Sequence, residues 1–81
     1  MDKNSIQFAA HAILAYLQRH PESADTTLGV HQWWIAWPDL PESITVTAAA
    51  LSQLEGAHLI ERHRAGNHEI WRLPRPPQPA G

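Results

Sequence analysis

The run Leu59-Ile60-Glu61-Arg62-His63-Arg64-Ala65-Gly66-Asn67-His68-Glu69-Ile70-Trp71-Arg72-Leu73 decides how this chain folds. Two short strand-like segments flank a turn that contains glycine, which is the pattern of a β-hairpin. Pairing His63 with His68 sets Arg62 opposite Glu69 and Ile60 opposite Trp71, so an ion pair and an apolar pair stand on one face. A slip of one residue would turn Trp71 to the other face, so the register carries consequences.

Three helical segments lead up to the hairpin. Ser43 or Thr45 can cap a helix that runs through Val46, Ala50, Leu51 and Leu54 and stops at Gly56. Its outward side then carries Thr45, Ala48, Ala49, Ser52 and Gln53, which are small and uncharged. Before it, Val30, Trp33, Trp34 and Trp37 recur at i, i+3, i+4 and i+7 and predict a helix from about Leu28 to Ala36, halted by Pro38. Gly29 is expected to weaken that helix by roughly 1 kcal/mol relative to Ala. Thr26 and Thr27 can cap it or form a very short strand, and Asp39-Leu40-Pro41-Glu42 reads as punctuation between the two helices.

The first helix should begin at a capping box formed by Asn4 and Gln7 and end near His20, ahead of Pro21. Ile6, Ala10, Ile13, Leu14 and Leu17 form its core stripe, and Phe8, Ala12, Ala15 and Tyr16 a second apolar stripe beside it. A helix apolar over so much of its circumference is covered on two sides, either by its own domain or by a second copy. That stripe is the reason to expect a homodimer. At the other end, residues 74–81 hold four prolines and no apolar periodicity, so they read as an extended tail outside the core and only loosely as a polyproline ligand.

Eighty-one residues make one domain, because a chain this short buries only about 60% of the surface its unfolded form exposes. The domain spans residues 1–73 and the proline-rich tail residues 74–81. With no cysteine there are no disulfides or thiolate metal sites, and packing, four tryptophans included, must carry the stability. No apolar run approaches the roughly 20 residues of a membrane span and the start lacks the form of a signal peptide, which leads to an expected cytoplasmic location and no membrane partner. The net charge of −2 is unevenly spread: residues 1–56 hold two basic and six acidic residues, residues 57–81 four arginines and two glutamates.

The order of three helices and a C-terminal hairpin resembles the winged helix-turn-helix superfamily of small bacterial repressor-like domains. The resemblance covers residues 5–73 and is carried by Val46, Ala50-Leu51, Leu54, Gly56, Leu59-Ile60, Gly66 and Ile70-Trp71-Arg72-Leu73. It implies an α+β winged-helix domain in which the third helix recognises DNA and the hairpin is the wing. The nucleic-acid-binding residues would then be Thr45, Thr47, Ser52 and Gln53 on the helix, with Arg62, Arg64 and Arg72 on the wing. The sequence departs from the DNA-binding members in one respect, since Thr45 to Gln53 contains no basic residue and a net charge of −2 equips the chain poorly for phosphate. The arginine-bearing wing favours a nucleic-acid-binding or transcription-regulatory module, which is the first reading; the neutral helix favours the alternative, a protein-interaction or dimerisation module with Phe8, Ala12, Tyr16, Trp33 and Trp37 as interface residues.

Other patterns point to ordinary roles. His58, His63 and His68 recur at intervals of five, but a metal needs three or four converging ligands, and neither a cysteine nor an H-E-x-x-H pattern is present. The pair His63 and His68 at the wing tip is the one that merits a test. Glu55, Glu61 and Glu69 are explained by exposure or by pairing with Arg62, and no nucleophile with a base and an orienting group can be assembled. The sequence therefore predicts a binding module, with no enzymatic activity and no cofactor.

Overall fold

A computed structural model describes residues 2–75; the tail beyond Arg75 lies outside the described residues. The chain is α+β, with helices first and an antiparallel hairpin last. Helix α1 spans Lys3–Arg19. It is capped by Asp2, whose carboxylate accepts from the Asn4 backbone N–H at 3.0 Å, in place of the expected Asn4 and Gln7 box. A carboxylate also suits the positive end of the helix dipole, which favours the earlier start. Ile6, Ala9, Ala10, Ile13 and Leu17 are buried, while Leu14 is only partly so.

The second apolar stripe of α1 is covered from within only in part. Tyr16 stacks on Trp34 with ring centroids 4.9 Å apart, and Phe8 tilts against Trp37 at 5.8 Å. Ala12 is half-buried and Ala15 exposed. The domain's own tryptophans thus cover the Tyr16 end of the stripe, while Phe8 and Ala15 stay exposed.

Thr26 accepts from the Gly29 N–H at 3.1 Å and opens α2, Thr27–Gly29, which runs on as a π-helical turn over Val30–Trp34. The helical course ends at Trp34, ahead of the expected Ala36, because Ile35 is already extended at φ −110 and ψ 121. Val30, His31, Trp34 and Ile35 face the core and Trp33 faces solvent. Gly29 has a positive reason to be there. A Cβ at this position would run into the Asp25 carboxylate, which itself accepts from the Thr26 N–H at 2.8 Å.

Helix α3, Ile44–Gly56, is capped by Ser43, whose hydroxyl accepts from the Thr45 N–H at 3.2 Å. Val46, Thr47, Ala50, Leu51 and Leu54 are buried against α1 and the second helix. The helix ends in a Schellman motif, with Leu59 N–H donating to Leu54 C=O and His58 N–H to Glu55 C=O, both at 3.0 Å. Gly56 is still helical, and the left-handed position falls two residues later on His58, at φ +61. A side chain there costs roughly 1–2 kcal/mol that glycine would not. His58→Gly is therefore expected to raise stability by about 1 kcal/mol in denaturant unfolding; a loss of stability would show that the imidazole makes a compensating contact.

Strands β1, Glu61–Ala65, and β2, His68–Arg72, pair with Arg62 opposite Trp71, His63 opposite Ile70, Arg64 opposite Glu69 and Ala65 opposite His68. The register lies two residues from the expected one. Gly66 takes φ +62 while Asn67 stays at negative φ, the sign pattern of a type II′ turn, so a two-residue loop suffices and the strands pair right up to it. An even slip keeps every side chain on its face. Arg62 and Trp71 therefore still share a side, and the Arg62 to Glu69 ion pair persists on the diagonal at 3.3 Å. His63 and His68, however, no longer stand opposite each other. The backbone of Trp71 also exchanges two hydrogen bonds with Asp25, at 2.7 and 3.2 Å, which fastens the hairpin to the connection ahead of α2.

Candidate functional site

Two surfaces take up the residues singled out by the sequence. The first is the outer side of α3 together with the hairpin. Thr45, Ala48, Ser52 and Gln53 are exposed there, with the Thr45 hydroxyl 2.7 Å from that of Ser43. Thr47 is not on this surface. It is fully buried, and its Oγ1 lies 2.6 Å from Nδ1 of His31, so it cannot meet a nucleic acid. Its position could have been read from the sequence, because Thr47, Leu51 and Leu54 lie at i, i+4 and i+7 on one helical line.

The hairpin arginines are largely spoken for. Arg62 donates through Nε and one terminal nitrogen to Glu55 at 3.3 and 3.2 Å, and through the other to Glu69 at 3.3 Å. The hydrogen bond to Glu69, with the charge of Glu55 beside it, holds the Arg62 pKa above its ordinary value. The guanidinium also lies 5.3 Å from the centre of the Trp71 ring. Arg72 donates to Glu61 at 2.7 Å. Arg64 has no ion-pair partner among the described residues, although Glu69 stands opposite it across the hairpin. Over residues 55–72 the three arginines meet three glutamates, Glu55, Glu61 and Glu69, giving a formal charge of zero with neutral histidines. The positive charge of the hairpin is thus balanced in three dimensions, partly by a carboxylate from α3, with Arg75 lying beyond this stretch. Among the described residues, no group of three or more His, Asp or Glu could hold a metal ion.

The second surface lies where the first two turns of α1 meet the connection from the second helix to α3. Phe8, Trp37, Pro38 and Leu40 form the walls of an open groove of about 400 Å³, with Asn4, Ser5, Asp39 and Glu42 completing its lining. Trp37 is set in place by its indole N–H, which donates to the His31 carbonyl at 3.0 Å, and by the His31 ring 5.3 Å away. The buried His31 to Thr47 contact therefore supports the groove from behind. Glu42 accepts from the Ser5 hydroxyl at 2.9 Å and ties the connection to α1. Leu40 is 86% exposed and Phe8 41%. Sequence reading found Phe8 and Trp37 but missed Leu40, Asp39 and Glu42, which looked like turn residues only. A leucine between Pro38 and Pro41, outside any periodicity, was the available signal. Trp33, also an interface candidate, is 74% exposed but does not line this groove.

The chain matches no protein-family model, no curated protein and no solved structure.

Proposed function

We propose that this chain is a small protein-interaction module on a winged-helix-like scaffold, and that the groove of Phe8, Trp37 and Leu40 is its docking surface. The observation that carries this reading is the coupling of an exposed aromatic groove, supported from behind by His31, with a hairpin in which Arg62 and Arg72 are already held by carboxylates. Aromatic side chains gathered in a recess are the usual anchors of protein interfaces, and Trp37 is fixed there before any partner arrives. No helix among the described residues is long and apolar enough to cross a membrane.

Nucleic-acid binding is the second reading, and Arg64 favours it, because this side chain is exposed near the hairpin tip and has no ion-pair partner among the described residues. The two readings separate by salt dependence. Each phosphate neutralised contributes about −0.9 to the slope of log affinity against log salt. With Arg62 and Arg72 engaged, titration of duplex DNA is expected to give a slope no steeper than about −1 per protomer, or no binding at all. Three free arginines would give about −2 to −3. A measured slope in that steeper range, reduced by Arg62→Ala, would replace the interaction reading with the nucleic-acid one.

A further inference from the structure

We infer that the groove receives the proline-rich segment, residues 74–79, of a second copy of this chain, so that two copies exchange tails. This rests on the protein-interaction reading and names its partner. An aromatic-lined groove with acidic residues at its edge suits an extended proline-rich segment that carries a cation. The groove has Phe8, Trp37, Pro38 and Leu40 as walls, Asp39 and Glu42 as its charges, and no basic residue in its lining.

The tail has the matching pattern. Pro74 and Pro77 are three residues apart, as are Pro76 and Pro79, and as are Arg75 and Gln78. In polyproline II, with three residues per turn, each such pair shares an edge. Two edges would therefore be proline and would lie on the aromatic walls, while the third would carry Arg75 and Gln78. Arg75 is the one charged side chain in residues 73–81, and it would meet Asp39 and Glu42. An exposed ion pair adds little affinity, so its part is to fix the direction in which the segment lies.

Chain connectivity favours a second copy over the chain's own tail. Through the pairing of Trp71 with Asp25, β2 runs back toward the turn that follows the C-terminal end of α1. The groove is at the other end of α1, and Ser5 and Arg19 are about 21 Å apart at 1.5 Å per residue. Arg75 follows the end of β2 by three residues, which span about 10 Å at most. Reciprocal exchange about a twofold axis would fill both grooves and close the assembly at two copies.

Sedimentation of the full chain over a range of concentrations tests this directly, with variants in the groove and in the tail. The expected result is a reversible dimer of twice the 9.1 kDa chain. Leu40→Glu and the double change Pro74→Ala with Pro77→Ala should each weaken it at least about tenfold, as loss of an interface anchor does, and Arg75→Glu, which sets a carboxylate against Asp39 and Glu42, should weaken it by a smaller but measurable factor. Combining Arg75→Glu with Asp39→Arg should restore much of the loss, which a mere folding defect would not allow. A dimer indifferent to all of these changes would overturn tail exchange while leaving the interaction reading in place. A monomer at every concentration would overturn it too. In that case, NMR signals of Phe8 and Leu40 that move on Arg75→Glu would mean that the tail docks on its own chain. Steep salt-dependent DNA binding by the wild-type chain would count against the interaction reading separately, since that measurement does not depend on Leu40 or Arg75.

Discussion

Trp71→Ala is expected to lower stability by about 3–5 kcal/mol, the usual cost of removing a large buried aromatic side chain. Trp71 is 5% exposed and is the one residue of the hairpin strands that is buried in the core. Its indole N–H donates to the Thr27 hydroxyl at 2.9 Å, its backbone pairs with Asp25, and its ring lies under the Arg62 guanidinium. Truncation would empty the space between hairpin and helices and remove the contact that joins β2 to the start of α2. A chain of this size has a total stability of about 4–12 kcal/mol, so the loss takes a large share of it and, toward the lower end of that range, leaves the variant largely unfolded at room temperature. Urea unfolding followed by circular dichroism measures the effect. A loss under 1 kcal/mol would mean that the hairpin hangs from the helices without being part of their core.

Thr47→Val should cost about 1–3 kcal/mol although it changes almost no volume, because it leaves a buried polar group of His31 without its partner. Thr47 is fully buried and His31 is 9% exposed, so water cannot readily replace the 2.6 Å contact. The asymmetry of buried hydrogen bonds gives the test its force: removing both partners can be nearly neutral where removing one is not. Thr47→Val combined with His31→Leu should therefore be more stable than Thr47→Val alone. Strict additivity in a double-mutant cycle would show that the two side chains are not coupled. Because His31 also holds Trp37 through its carbonyl and its ring, Thr47→Val is expected to shift the NMR signals of Phe8 and Leu40 as well.

Local chemistry was legible in the sequence. Apolar spacing marked three helical segments, Pro21 and Pro38 bounded the first two, and Gly66 with its flanking residues announced the hairpin. These readings depend on backbone constraints that act over a few residues, and neighbours in space do not alter them much. The same locality explains why the two faces of the hairpin came out correctly although its register was off by two. Turn geometry sets register, and a loop of two residues or of four both satisfied the face pattern.

What the sequence could not hold was any property that arises between elements. The carboxylate of Glu55 on α3 reaches Arg62 on β1, so positive charge that is concentrated along the chain is neutralised in space. The second stripe of α1 looked free because its cover, Trp34 and Trp37, comes from a segment more than fifteen residues away. The helical line of Thr47 with Leu51 and Leu54 pointed inward, but nothing near Thr47 in sequence reveals that its buried partner is His31. The groove itself is a meeting of Phe8 with a proline-bounded connection that had no periodicity to read. The sequence by itself determined where helices and strands form, because hydrogen-bonding period and steric preference are local. Only the tertiary structure decided which charges remain free and which apolar faces remain open, because both depend on what the folded chain places opposite each side chain.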